Sequence, residues 1–194
     1  DPTCPDITGR VLEALCVHGF DRDHPAVRAG VGYLRRTQEA TGAWYGRWGV
    51  DYIYGTFLAL RGLRAAGESA DSEPIRRAAA WLRAVQNRDG GWGESCASYD
   101  QGSFVGARST ASQTAWGLLG LLAAGDADSS AVERAVDYLI AVQRPDGGWD
   151  EELATGTGFP KVFYLTYHLY RDSFPVLALA EFLKARGRAR GETA

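Results

Sequence analysis

The stretch "NRDGGWGES" (87–95) returns almost unchanged as "RPDGGWDEE" (144–152). Each copy follows a Gln, Gln86 or Gln143, that closes an apolar segment of helical spacing. Aligning these with Gln38 puts Trp44, Trp92 and Trp149 six residues later in every copy. It also puts Tyr33, Trp81 and Tyr138 five residues earlier, each followed by Leu (Leu34, Leu82, Leu139). The copies lie 48 and 57 residues apart, room for two helices each. The first copy, "QEATGAW", lacks Asp-Gly-Gly but keeps both ends. A Gln at a helix end both donates and accepts, so it can satisfy orphan backbone groups. The Gly-Gly pair is expected to make the reversal with positive φ, and the Trp to bury its ring against the preceding helix. The motif reads as a clamp between consecutive helices, structural rather than catalytic.

The rest of the chain reads as all-α. Spacings of three and four predict helices over 7–19, 24–38, 52–67, 73–86, 112–125, 130–143 and 173–187. Pro25 and Pro74 suit first-turn positions, and Gly67 and Gly125 suit C-terminal caps. No alternating stretch is long enough to insist on a sheet, Ser112 is the expected cap of the 112–125 helix, and residues 187–194 are expected to fray.

Composition narrows the function classes. The 194 residues suit one domain or part of a larger one, able to bury about 70% of the unfolded chain's surface. The net charge of −3 is scattered and gives no reason to expect a nucleic-acid partner. No apolar run approaches the roughly 20 residues of a membrane span. Three distant cysteines (Cys4, Cys16, Cys96) fit a reducing cytoplasm rather than a disulfide framework, and with the three histidines they show no zinc spacing. Hence no metal and no cofactor is expected. The chain contains no Met and begins Asp-Pro-Thr, which we read as the expectation of a fragment.

Repeated helix pairs with a Gln-to-Trp clamp resemble the "QW" repeats of squalene–hopene cyclases, the class II triterpene cyclases, in their C-terminal part. Three stretches carry the resemblance: "GRWGVDYIYGT" (46–56), "GGWGESCASYDQGSFVGARSTASQTAW" (90–116) and "TGTGFPKVFYLTYHLYRDSFPVLAL" (155–179). The family implies an α/α (α6-α6) barrel of two concentric rings, and seven helices would supply roughly half of it. Residues 1–194 are therefore expected to be the C-terminal portion of such a catalytic domain. The resemblance implies an enzyme that protonates squalene and carries it through a carbocation cascade to hopene or hopanol. The family's Asp-X-Asp-Asp proton donor is absent here and is expected upstream, so the segment alone is expected to be inactive; the "DAD" at 126–128 reads as a solvated loop. Peripheral attachment to the cytoplasmic side of a membrane, and a homodimer of the full-length enzyme, are implied by the resemblance alone.

Carbocation chemistry needs dry apolar walls and aromatic faces, each worth about 0.5–2 kcal/mol to a passing cation. Phe159, Phe163, Tyr167 and Tyr170 are spaced 4, 4 and 3 and would share one face if that segment were helical. By resemblance Phe163 and Phe159 contact late cations, while Tyr167 and Tyr170 line or support the cavity. Trp48 matches a cavity-lining Trp near the first cyclisation. Tyr54 matches a member of the network behind the donor acid. Arg10 stands where the family carries that acid's basic partner, and Asp6 is expected in the same network. Two other readings remain: a prenyltransferase β-type barrel, which needs an Asp/Cys/His zinc site, and a non-enzymatic helical-repeat module, which leaves the aromatic stripe unexplained.

Overall fold

The computed structural model describes residues 2–189. It contains helices α1 (Pro5–Val17), α2 (Pro25–Thr37), α3 (Tyr52–Ala65), α4 (Glu73–Ala84), α5 (Ala97–Gln101), α6 (Ala111–Ala123), α7 (Ser130–Ala141) and α8 (Tyr170–Ala189). Four short strands accompany them: β1 (Trp92–Glu94), β2 (Gly106–Thr110), β3 (Gly156–Phe159) and β4 (Phe163–Leu165). All seven expected helices are present. The sequence analysis missed α5 and the two antiparallel pairs β1–β2 and β3–β4, which are too short to announce themselves by alternation.

The helices form two rows. α1, α3, α6 and α8 pack side by side in that order, and α2, α4 and α7 lie against them as an outer row. The burial pattern follows from this placement. The central inner helices α3 and α6 are buried on nearly every side. The outer helices bury one stripe, as with Ile75, Ala78, Ala79 and Leu82 of α4 or Ala131, Val132, Ala135 and Leu139 of α7. Such an arrangement is part of an α/α barrel.

The repeat motif is the joint between rows, and its three copies use the same atoms. The Trp44, Trp92 and Trp149 indoles donate to the carbonyls of Leu34, Leu82 and Leu139 at 2.7, 2.9 and 2.9 Å, and all three rings are buried. The Gln38, Gln86 and Gln143 amides donate at 2.8 Å to the carbonyls of Gly42, Gly90 and Gly147 within their own turns. Gln38 and Gln86 also reach the next outer helix, donating at 2.8 Å to Pro74 and Ala131. Two details correct the sequence reading. Only the first glycine of each pair has positive φ (Gly90 91°, Gly147 89°). And the first copy has kept it: Gly42 has φ 99°, while Thr41 replaces Asp89 and Asp146 as the side chain that accepts an N–H two residues on. The other glycine, Gly91, lacks space rather than torsion, since an added Cβ would lie 2.6 Å from Ser109 Cβ.

The helix ends hold one further correction. Pro25 and Pro74 lie in first turns, and Gly67 and Gly125 follow the C-caps with φ 83° and 84°. The cap of α6, however, is Thr110, whose hydroxyl accepts the Gln113 N–H at 3.2 Å. Ser112 lies within the first turn and is itself held by Glu151. α8 starts at Tyr170 rather than 173 and continues through Gly187 to Ala189, so this part of the expected frayed tail is helical; residues 190–194 lie outside the described residues.

Candidate active site

The N-terminal ends of the inner helices gather the candidate residues, and buried carboxylates hold that end together. Asp6, fully buried on α1, accepts the backbone N–H groups of Arg47 (2.9 Å), Trp48 (3.0 Å) and Ile7 (3.0 Å). Glu94, two residues past the Trp92 clamp, accepts the first N–H groups of α3 from Asp51 (3.0 Å), Tyr52 (3.1 Å) and Ile53 (2.9 Å). Glu151, two residues past Trp149, does the same for α6 through the Ser112 N–H (2.8 Å) and hydroxyl (2.9 Å). A negative charge on the orphan donors of a helix N-terminus is doubly favourable, by hydrogen bonding and by the helix dipole. In the first copy Gly46 stands where these glutamates would be, and the acid comes from the opposite side, as Asp6. Asp6 thus clasps the Trp48 loop, the loop that leads towards Tyr54. Gln113 binds the three parts: its amide donates to the Val50 (3.0 Å) and Glu94 (3.1 Å) carbonyls and accepts the Glu94 N–H (3.0 Å).

The aromatics are assembled by strand pairing rather than by a common helix face. Phe159 ends β3, Phe163 begins β4, Tyr167 lies in the following turn and Tyr170 opens α8. The condition for one shared helical face is thus not met: "GTGFPKVFYL" forms a hairpin, with Lys161 at φ 67° in its turn. Glycines make seats for three rings. An added Cβ would come within 2.4 Å of the Tyr54 ring at Gly49, 2.4 Å of the Tyr167 ring at Gly156 and 2.1 Å of the Phe163 ring at Gly158. Gly49 and Gly156 are themselves bridge partners, so the Tyr54 and Tyr167 seats are adjacent. From Tyr54 the rings run on through Trp116 (4.8 Å) and Tyr170 (5.9 Å from Trp116) to Tyr167 (4.7 Å from Tyr170). Phe159 and Phe163 meet each other at 5.9 Å and are about half exposed.

At the other side, Arg10 Nη2 donates to the Tyr54 hydroxyl at 3.0 Å. Gly9 enables this contact: it faces the Leu58 carbonyl where an added Cβ would be 2.2 Å away, so α1 lies close on α3. Burial pushes the Tyr54 hydroxyl up to about 12, with the Arg10 charge acting in the opposite sense, so Tyr54 is a neutral donor at ordinary pH. Trp48 is half-buried, with the Arg47 guanidinium 5.1 Å from its ring. Its ring borders an apolar groove of about 740 Å³ between α1 and α2, which also takes in Cys4, Ile7, Val11 and Tyr33 but none of the closing-segment aromatics. Trp48 and the hairpin are joined through backbone: the Thr157 N–H donates to the Trp48 carbonyl at 3.2 Å.

Two features escaped the sequence reading. Trp116 is the fully buried centre of the aromatic array, and its indole N–H finds no acceptor among the described residues. Its only sequence signal was its place three residues past Gln113 in "SQTAW". Asp51 and Glu94 form a buried acid pair: burial first, then the Glu94 charge, pushes the Asp51 carboxyl far above the ordinary range. Asp51 Oδ1 accepts the Gly46 N–H at 3.1 Å, so this neutral acid still ties down the loop before Trp48. Cys96 is half-buried, donates to the Ala154 carbonyl at 3.6 Å and is pushed up by burial, which disfavours its thiolate. No cluster of His, Cys, Asp and Glu suited to a metal occurs among the described residues.

Comparison with known proteins agrees with this architecture. Residues 1–184 match the family profile described as the squalene-hopene cyclase C-terminal domain. The squalene–hopene cyclase of Bradyrhizobium diazoefficiens is 50% identical over 189 residues, covering 96% of this chain and 29% of that protein. That of Alicyclobacillus acidocaldarius is 48% identical over 186 residues, covering 95% and 30%. This chain thus spans about three-tenths of the length of these relatives. Among solved structures, the type II terpene cyclase MstE from Scytonema, in complex with its substrate geranylgeranyl dihydroxybenzoate, superposes with a TM-score of 0.64 at 22% identity, covering 84% of this chain and 52% of that one. This last likeness concerns the fold.

Proposed function

Because the chain belongs to the squalene-hopene cyclase C-terminal domain family, we propose that it is the C-terminal portion, residues 1–194, of an enzyme that cyclises squalene to pentacyclic hopene or hopanol. The observation that carries this reading is the adjacency of the Tyr54 and Tyr167 ring seats on the bridged pair Gly49 and Gly156, which brings the Tyr54, Trp116, Tyr170 and Tyr167 rings together beside the hairpin. In the cascade a proton adds to the terminal double bond, and each cation is attacked by the next π bond to form a ring. The last cation either loses a proton, giving hopene as a net isomerisation, or takes water and loses a proton, giving hopanol. No base or nucleophile is wanted before that point, so the walls must be apolar and dry.

In this reading Phe163 and Phe159 present their faces to late cations, and Trp48 to early ones. Tyr167 and Tyr170 support the wall, Tyr167 resting on Tyr170 and Tyr170 on Trp116. Arg10 and Tyr54 stand behind the acid that delivers the first proton; Arg10 stabilises that acid's conjugate base but, staying charged, cannot take the proton back. The donor acid comes from another segment of the complete protein, so this segment alone is inactive. Full-length enzyme working as a homodimer on the cytoplasmic face of a bilayer, drawing squalene from it, completes the proposal; no described helix is long and apolar enough to cross a membrane. The test is incubation of the complete protein with squalene and mass-spectrometric search for pentacyclic C30 products. Folded protein that converts no C30 polyene would overturn the reading.

A further inference from the structure

Thr157 is fully buried in β3, where a polar side chain needs a reason. Its register supplies one. Thr157 pairs with Tyr164 and Phe159 with Phe163, so the ladder shifts between them and β3 carries an extra residue, Gly158. At this irregularity the Thr157 hydroxyl donates to the Phe163 carbonyl at 2.7 Å. On the same residue the backbone N–H donates to the Trp48 carbonyl at 3.2 Å. One residue therefore ties the backbone of Trp48 to that of Phe163, although the groove that Trp48 borders takes in no hairpin ring. The Phe163 ring lies over Gly158, where an added Cβ would be 2.1 Å away, so it sits on the irregularity whose backbone Thr157 holds.

We propose that Thr157 is a positioning residue for the cyclisation site, fixing the Phe163 ring relative to Trp48 through its hydroxyl and its N–H. The proposal rests on the cyclase reading and adds to it a residue that touches no substrate. A late cation and an early one form at different points of the same folded chain, so the distance between the two walls selects which cations are shielded. A shift of a fraction of an ångström in Phe163 lets an intermediate lose its proton early.

The test uses full-length protein carrying Thr157→Val, which keeps the shape and the N–H but removes the hydroxyl, and Thr157→Ser, which restores it. With squalene, Thr157→Val should lower kcat about tenfold with KM within twofold, and raise the share of incompletely cyclised products several-fold. Thr157→Ser should lie within twofold of wild type in both. A merely destabilised protein would lose active molecules but keep its product ratio. An unchanged product ratio in Thr157→Val, or a Thr157→Ser variant as impaired as Thr157→Val, would overturn the proposal. Amide hydrogen exchange separates this from the cyclase reading: Thr157→Val should lose about tenfold protection over 159–165 while α3 and α6 keep theirs. Wild-type protein that makes no cyclic product sinks the cyclase reading, whereas unchanged exchange over the hairpin sinks the tether.

Discussion

Asp51 and Glu94 lie side by side out of reach of solvent, on the segment that leads from Trp48 into α3. Glu94 uses both oxygens on three N–H groups, whereas Asp51 Oδ2 finds no partner among the described residues. Two charges there would repel in a poorly screened interior, so Asp51 is held neutral. A carboxyl raised in the folded state contributes stability that is complete below its unfolded value, 3.8, and is lost as pH climbs towards its folded one. Asp51→Asn cannot ionise and escapes that loss. Its melting temperature relative to wild type should therefore rise with pH from about 4 upwards; a constant difference would mean that Asp51 is already charged in the fold. Phe163 gives the second prediction at this scale. Phe163→Ala should cost roughly 2–30-fold in kcat for complete cyclisation, the worth of one cation–π face. Phe163→Tyr should cost much less, with both read from product profiles. Phe163 and Trp48 were legible as candidates because their residue types suit the chemistry and their stretches resemble those of the family. Thr157, Glu94 and Asp51 were not: Glu94 meets the N–H groups of Asp51, Tyr52 and Ile53, and Thr157 donates its N–H to the Trp48 carbonyl, partners far away in the chain that neither residue type nor local spacing reveals.

Helices and clamps answer to local rules, and here the sequence spoke clearly. A Gln that bonds within its own turn and a Trp six positions on that donates to a Leu carbonyl of the preceding helix lie within eleven residues, so the pattern is periodic and visible. The copies nevertheless differ in what they join. Gln86 bridges its own turn to α7, whereas Gln143 is exposed and, among the described residues, its amide donates only within its turn. Gln86→Ala should then destabilise by about 1–3 kcal/mol and Gln143→Ala by well under about 1, compared in full-length protein by thermal melts. Equal effects would show that the inter-helix bond contributes nothing. The hairpin β3–β4 was not legible because aromatics at spacings of 4, 4 and 3 also fit one face of a helix. Strand and helix preferences of Phe and Tyr do not separate the two, and the bulge at Gly158 breaks the alternation that would have betrayed a strand.

Half of a double ring leaves two flanks uncovered. α1 exposes Ile7, Val11 and Val17 beside the 740 Å³ groove, and the hairpin with α8 exposes Val162, Leu169, Val176 and Leu183. Faces of this extent favour association. Residues 1–194 expressed alone should elute from a sizing column as aggregates or oligomers; a monodisperse monomer with a sharp, cooperative melt would contradict this. By itself the sequence determined the class of the molecule: helix pairs, marked by a repeated motif whose Trp and within-turn Gln bonds close within about a dozen residues. Only the tertiary structure decided which carboxylate clasps which loop, that Trp48 opens on the α1/α2 groove, and that Thr157 ties it to Phe163. Those contacts join residues roughly 40 to 110 positions apart, and their distances are set by how α1, α3, α6 and the hairpin pack, a property that no local pattern carries.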